Sequence, residues 1–284
     1  MPARLIDGRA HAAAIREELQ RAVAAHPNQR PPGITVIQVG DDPASTTYVR
    51  GKHKAAEEVG FTSTIQRLHD ITQEQLHDCI HKLAADPNVD GILVQMPLPD
   101  GLNPDQALEQ IPTHKDVDGL HPYNAGRLAQ GNPTFVPATP LGVLELLRRE
   151  RIDVTGIHAV VVGRSRLVGR PLALLLLQNH ATVTIAHSQT ANLDAIAKTA
   201  DILVAATGKP GLITAQHVKQ GAVVIDVGIS RDPQTGKLVG DVDRVSVEPV
   251  AAALTPVPGG VGPMTIAMLL VNTYRAYRQH LGQA

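Results

Sequence analysis

The chain has 284 residues, with 26 basic and 27 acidic side chains, a length that suits one large or two medium domains around a substantial core. The balanced charge excludes the basic footprint of a nucleic-acid or membrane-surface binder, and the one cysteine, Cys79, excludes an internal disulfide framework and fits a reducing compartment. Tryptophan is absent and only four tyrosines and two phenylalanines occur, which predicts an aliphatic core and excludes a site built on many stacked rings.

Helix and strand patterns alternate from the start. Ala10 to Ala25 is an alanine-rich helix with Ile15, Leu19 and Val23 on one stripe. Ile34 to Val39 is a strand. The turn Gly40-Asp-Asp-Pro43-Ala-Ser45 follows, with Ser45 as the expected cap of a helix to Val59 that Gly60 ends. Phe61 to Leu68 is a strand, and Thr72 with Gln75 is a capping box for the next helix, closed at Asp86-Pro87. Gly91 to Val94 is a short buried strand that delivers Gln95. Asn103-Pro104 opens another helix, and Pro112 to Gly131 reads as irregular, a length of loop that is usually functional. Thr139-Pro140 is expected to cap a helix ending near Arg151.

A second series begins at Ile157, with strands at His158 to Val162, Thr182 to Ala186, Ile202 to Ala205 and Val223 to Val227, and helices expected between them. Arg231 to Val239 suits a hairpin around Thr235-Gly236, and Pro263 to about Leu281 a final helix. Such alternation predicts an α/β protein of two α/β domains, the second a doubly wound Rossmann-type parallel sheet, with a cleft between them. Expected limits are 1–138, joined by the last helix (about 263–284), and 139–262. No apolar run approaches the ~18 residues of a membrane span, and the first residues lack a signal-peptide core. Both point to a cytoplasmic protein with neither a membrane nor a nucleic-acid partner.

The strand, turn and helix around Gly163-Arg164-Ser165 and Gly169-Arg-Pro171 can present backbone N–H groups and a helix N-terminus to a phosphate. Against the G-x-G-x-x-G fingerprint, Ser165 replaces the second glycine and Gly169 comes one residue late, so an ordinary strand-to-helix turn is the competing reading. No acidic residue ends the strand Thr182 to Ala186, where NAD enzymes hold the ribose hydroxyls. Arg164 and Ser188 instead suit the 2′-phosphate of NADP, unless Arg164 is a solvated loop cation.

In the first half, Tyr48 and Lys52 lie four apart on one helix face, able to bracket a flat polar ring or simply to face solvent. Gln95 is a polar residue at the carboxyl end of a buried strand, where α/β sheets bind ligands. Asp116 and Asp118 are each candidates to accept hydrogen bonds from an amino-substituted heterocycle, or to cap turns. The loop Thr255 to Thr265, rich in glycine and proline and including Pro258, Gly259 and Gly260, permits close backbone approach to a ligand. His77, Cys79 and His81 lack a third ligand at suitable spacing, and no metal is expected.

Together these segments resemble the bifunctional methylenetetrahydrofolate dehydrogenase/methenyltetrahydrofolate cyclohydrolase family. The matching pieces are Tyr48-x-x-x-Lys52, Asp90-Gly-Ile-Leu-Val-Gln95-Met-Pro-Leu-Pro99, Lys115-Asp-Val-Asp118-Gly, His121-Pro-Tyr-Asn, Gly163-Arg-Ser-x-x-Val-Gly-x-Pro171, Gly208-Lys-Pro-Gly211, Val224-Ile-Asp-Val-Gly-Ile229 and Thr255 to Thr265. A small departure is Met96, where leucine is common. The resemblance implies oxidation of 5,10-methylenetetrahydrofolate by NADP+, then hydrolysis of the methenyl product to 10-formyltetrahydrofolate, in a homodimer. It implies Lys52 for proton handling, Gln95 to tune it, Tyr48 against the folate and Asp118 on the pterin edge. Pro258, Gly259 and Gly260 are then expected on the folate, and Gly163, Arg164, Ser165, Ser188 and Ile229 on the cofactor. A lysine that acts as a base near neutral pH must have its ammonium disfavoured by roughly 4 kcal/mol; burial and a substrate cation both push that way, and an amide at position 95 adds no opposing charge. The alternatives are a dehydrogenase of like architecture without the hydrolytic step and a non-catalytic NADP-binding regulator. Retention of both Lys52 and Gln95 argues against the former.

Overall fold

Residues 2–283 are described by a computed structural model of the chain. The strand β1 (Arg4–Leu5) precedes α1 (Gly8–Ala24), which starts where Asp7 Oδ1 accepts the N–H groups of Arg9 at 3.0 Å and Ala10 at 3.1 Å. β2 (Gly33–Val39) is buried at every position, as a central parallel strand covered on both faces must be. α2 (Pro43–Glu58) begins earlier than expected. Its cap is Asp42, whose carboxylate accepts the Ser45 N–H at 2.7 Å, and Pro43 supplies a preset first turn, so Ser45 lies inside the helix rather than capping it. Gly60, at φ +84°, turns the chain into β3 (Thr62–Leu68). α3 (Gln73–Ala85) carries the expected reciprocal Thr72–Gln75 box. β4 (Gly91–Val94) and α4 (Pro104–Glu109), capped by Asn103, follow.

The stretch expected to be irregular contains α5 (Pro122–Ala129), whose cap is the His121 ring nitrogen accepting the Tyr123 N–H at 3.0 Å. Its buried residues are Asn124 and Leu128, one polar and one apolar, so no hydrophobic stripe marked it. α6 (Ala138–Arg149) starts before Thr139, and the Thr139 hydroxyl meets that of Thr265 at 2.9 Å instead of capping. Next come β5 (His158–Val162), α7 (Gly169–Gln178), β6 (Thr182–Ala186), α8 (Leu193–Ala197), β7 (Ile202–Ala205) and β8 (Val223–Asp226). The connection from β7 to β8 holds only a 3-10 turn, Ala215–His217, and not the expected helix. Gly208 and Gly211, at φ +67° and +64° on either side of Pro210, break it. β9 (Ser230–Arg231) and β10 (Leu238–Val239) form the expected hairpin. The chain closes with α9 (Arg244–Val247), β11 (Ala253–Leu254) and α10 (Val261–His280).

Two compact units result. One joins the segment ending at Ala12 to Thr139–Thr265; the other joins Ala13–Ala138 to the segment from Ile266 onward. The first holds a six-stranded sheet in the order β1-β11-β8-β7-β5-β6, parallel at every pairing. Its order reverses at β5, which has β6 on one side and β7 on the other, and that switch point is where doubly wound sheets bind dinucleotides. The core is aliphatic, with Val160, Val162, Leu203, Val224 and Leu254 among its buried members.

The second unit holds a parallel sheet, β3-β2-β4, over Ile37, Leu76, Ile80, Ile92 and Val94. Its final helix is fastened by a fully buried carboxylate. Asp90 takes two hydrogen bonds from Arg30 at 2.7 Å each, one from the Gly33 N–H at 2.7 Å, and lies 2.7 Å from the His280 ring nitrogen. Four donors make that burial tolerable, and removal of one would leave a poorly compensated charge. Among the described residues no helix is long and apolar enough to cross a membrane.

Candidate active site

In the unit of Ala13–Ala138, α2 presents Tyr48 and, one turn on, Lys52. The Lys52 ammonium donates to Gln95 Oε1 at 2.9 Å, and Gln95 Nε2 donates to the Met96 carbonyl at 2.7 Å. Gln95 is thus locked at both ends, with its oxygen turned toward the lysine. Its backbone N–H donates to Ile37 O at 2.8 Å, which places it at the carboxyl edge of the three-stranded sheet. Tyr48 keeps 38 % of its surface exposed.

Asp118 reaches the same edge by another route. The segment before it pairs with β4 through a parallel bridge between Ile92 and Asp116, and the Ile92 N–H donates to Lys115 O at 2.9 Å. Burial pushes the Lys52 ammonium below the ordinary lysine range, and the charge of Asp118 pulls the other way. Burial likewise holds the Asp118 carboxyl above the usual carboxylate range; Lys52 opposes this and Asp116 adds to it. A lysine whose proton is loosely held, an amide that orients it and a carboxylate in its field can move a proton to and from a bound ligand. Asp116 does not share that availability. It is 1 % exposed and accepts two hydrogen bonds from its own loop and one from Asn124 on α5, so of the two aspartates Asp118 is the one left for a ligand.

The other unit offers backbone rather than titratable side chains. Because its strands run parallel, the loops after β5, β6, β7, β8 and β11 all leave one edge. The Gly163 N–H donates to Ala186 O at 2.8 Å, that of Ala206 to Val162 O at 2.8 Å, and that of Val227 to Ala205 O at 2.9 Å. Gly163 and Arg164, exposed Ser188 and Ile229, itself 44 % exposed, therefore sit on loops that start side by side. A side chain at Gly163 would put its Cβ 2.1 Å from Ala206 O, and one at Gly169 would lie 2.1 Å from Gly163 O. The late glycine is explained: it lets α7 settle directly on the turn. Ser165 Oγ accepts the N–H groups of Val168 at 3.1 Å and Gly169 at 3.4 Å, so this serine closes the helix entry. The cradle fits a phosphate of a dinucleotide, being built of glycine backbone at a helix entry and set at the switch point.

In this same unit, Pro258, Gly259 and Gly260 form the loop after β11. Gly259, at φ +113°, accepts the Arg9 N–H at 3.1 Å, and a Cβ on Gly8 would lie 1.9 Å from Gly260 O.

Two aspartates that sequence reasoning left unassigned organise the cofactor edge. Asp226 accepts the N–H groups of Gly228 at 2.9 Å, Asp241 at 2.9 Å and Val242 at 3.0 Å, and burial raises its carboxyl to about 6. Asp241, fully buried, accepts the Thr207 and Gly208 N–H groups, the latter at 2.9 Å. They tie the loops after β7 and β8 together. The only signal in the chain was an aspartate followed two residues later by glycine (Asp226, Gly228) and a glycine before an aspartate (Gly240, Asp241), each glycine leaving room for the other pair's carboxylate.

A doubly wound dinucleotide-type edge and a lysine–amide–carboxylate group in one chain define a nucleotide-dependent α/β enzyme class. The comparisons are more specific. The family profile described as tetrahydrofolate dehydrogenase/cyclohydrolase, catalytic domain, matches residues 6–118, and that for the NAD(P)-binding domain of the same family matches 137–281. The bifunctional protein FolD of Brevibacillus brevis is 52 % identical, covering 100 % of both chains. The solved structure of the Campylobacter jejuni bifunctional enzyme FolD is 46 % identical with a TM-score of 0.95, covering 98 % of this chain and 99 % of that one. The Trypanosoma brucei methylenetetrahydrofolate dehydrogenase-cyclohydrolase, solved with NADP and an inhibitor, is 42 % identical with a TM-score of 0.94 over 99 % of each chain. The chain belongs to the tetrahydrofolate dehydrogenase/cyclohydrolase family.

Proposed function

We propose that this chain works as the bifunctional enzyme, oxidising 5,10-methylenetetrahydrofolate to 5,10-methenyltetrahydrofolate with NADP+ and hydrolysing that product to 10-formyltetrahydrofolate at the same site. The observation that carries the hydrolytic half is the partly buried Lys52 ammonium held at 2.9 Å by Gln95 and destabilised by its surroundings. Gly163, Arg164, Ser165, Ser188 and Ile229 would hold NADP, which when bound would supply a hydride acceptor for the carbon bridging N5 and N10.

In the hydrolytic step a water oxygen bonds to the methenyl carbon while neutral Lys52 Nζ takes one of its protons. Cleavage of the carbon–N5 bond, with the remaining hydroxyl proton passing to N5, gives the formyl group on N10, so one proton is released overall. Gln95 keeps Nζ aimed without adding the anion that would hold it protonated. Asp118 accepts from the amino-pyrimidine edge of the pterin, Tyr48 packs on the folate, and Pro258, Gly259 and Gly260 approach it through backbone. These roles are supported by the placement of Tyr48 and Lys52 one turn apart on α2, of Gln95 just after β4 and of Pro258, Gly259 and Gly260 in the loop after β11, and by the match of each residue to the family motif.

The functional division into 1–138 with the last helix and 139–262, a homodimer and a cytoplasmic setting belong to the same proposal. The resemblance and the single cysteine support them, and light scattering reads the oligomer directly. The test of function is spectroscopic. Purified protein, methylenetetrahydrofolate and NADP+ should give a growing NADPH band with little methenyl absorbance. Sustained methenyl accumulation would remove the cyclohydrolase, and absence of both bands would remove the enzyme.

A further inference from the structure

Asp116 is a nearly inaccessible carboxylate two residues from Asp118, and the proton-handling step has no use for it. Its Oδ1 accepts the Leu120 N–H at 3.1 Å, and its Oδ2 accepts the His121 N–H at 2.9 Å and Asn124 Nδ2 at 2.7 Å. Its carbonyl takes the Gly119 N–H at 3.1 Å. One residue thereby closes the turn 116–121 on itself, with Asp118 inside the ring of bonds. Asn124, fully buried on α5, anchors that ring from outside, donating also to Thr113 O at 3.0 Å. On either side of Asp116 the loop is pinned independently. Lys115 Nζ donates to the Ala84 and Asp86 carbonyls at 2.8 Å each, and Asn272 Nδ2 to Val117 O at 2.8 Å. Those pins would keep the loop attached to the unit if the inner ring were broken. What the inner ring closes is the turn from which Asp118 projects.

We propose that Asp116, together with Asn124, is a positioning residue for substrate: it holds the turn that aims the Asp118 carboxylate at the folate heterocycle. The proposal rests on the reading of Asp118 given above. Such an arrangement spends a buried, fully hydrogen-bonded charge on orienting a neighbouring group, the kind of support without which a binding carboxylate drifts from its ligand.

The test is a double-variant cycle on the full-length enzyme. Asp116→Asn puts an NH2 group against at least one of the three donors now satisfied. It should raise the KM for methylenetetrahydrofolate about tenfold while the KM for NADP+ stays within about twofold. On an Asp118→Asn background the same change should raise the folate KM by less than about twofold further, because the group it aimed is already gone. Asn124→Ala, which leaves the Asp116 charge and its backbone bonds in place, should show the same selective pattern at smaller size, and it serves if Asp116→Asn does not fold. Effects that multiply in the double variant, or a KM for NADP+ that rises in step with that for folate, would make Asp116 merely structural and overturn the proposal. An unchanged folate KM in Asp118→Asn alone would overturn the assignment of Asp118 itself, and this inference with it.

Discussion

The two candidate regions use the same architectural position, the carboxyl edge of a parallel sheet, for opposite kinds of chemistry. In the unit of Ala13–Ala138 the edge carries side chains that titrate, and burial alters how tightly Lys52 and Asp118 hold their protons. In the unit of Thr139–Thr265 the edge is mostly backbone: Gly163 and Gly169 are needed for what they lack, since a Cβ on either would strike a carbonyl oxygen at 2.1 Å. The contrast teaches that sensitivity to substitution should differ in kind. One region should fail when a functional atom is removed, the other when an atom is added.

The largest effect expected is at the lysine. Lys52→Met removes the base while keeping a chain of similar bulk, and should slow methenyl hydrolysis by about 10²–10⁴-fold, the range for losing a general base. Folate binding should remain measurable by titration, and methenyl absorbance should build up during turnover. Hydrolysis at the parental rate would separate Lys52 from the chemistry. The complementary experiment adds an atom. Gly169→Ala must push α7 off the turn, an overpacking cost of about 1–3 kcal/mol. If that cost falls on the cradle, NADP+ affinity should drop roughly 10–100-fold, with the folate KM unchanged. A calorimetric titration decides, and an unaltered NADP+ affinity would mean that the cradle does not hold the phosphates.

How far each region could be read from the chain follows the same contrast. Side-chain chemistry announces itself: a lysine one helical turn after a tyrosine, and an amide at the end of Ile92-Leu93-Val94, are visible as residue types. The fold was legible where an apolar run or a periodic stripe was strong, as in β2 and α3, and illegible where both were absent. The strands β1 and β11 have two residues each and no pattern, and α5 shows Asn124 where a stripe would need an aliphatic residue. Ser45 was a sound cap by type, but Asp42 beside Pro43 made a better one. Backbone devices were hardest to see. That Asp226 and Asp241 bind the loops after β7 and β8 depends on the segments 207–208, 226–228 and 240–242 meeting at one end of the sheet, and no local pattern encodes that meeting.

Between these extremes lies Arg164, an exposed side chain on the backbone-built edge. If it pairs with a 2′-phosphate, Arg164→Ala removes charge-assisted hydrogen bonds worth about 1.5–3 kcal/mol. The ratio of kcat/KM for NADP+ over NAD+ should then fall by about tenfold or more, chiefly through the KM for NADP+. A ratio that stays constant would assign the arginine to solvent and move cofactor choice elsewhere on the edge.

The smallest effect, a displaced break in a pH profile, examines the titratable region most closely. Hydrolysis needs the neutral amine, so its rate at saturating substrate should climb with pH and level off once Lys52 has lost its proton. Burial depresses the proton affinity of Lys52, so the break should fall below the ~10.4 of a free lysine. Asp118 opposes that depression by favouring the ammonium. Asp118→Asn should therefore move the break to still lower pH even as it weakens folate binding. The two consequences run in opposite senses for activity near neutrality, because more of the lysine is competent while less of the substrate is held. Stopped-flow hydrolysis of methenyltetrahydrofolate, corrected for the uncatalysed reaction at each pH, separates them. A break that rose in the variant would mean that Asp118 does not act on Lys52 through its charge, and the side-chain region would then resemble the backbone one, a binding surface with a single titrating group.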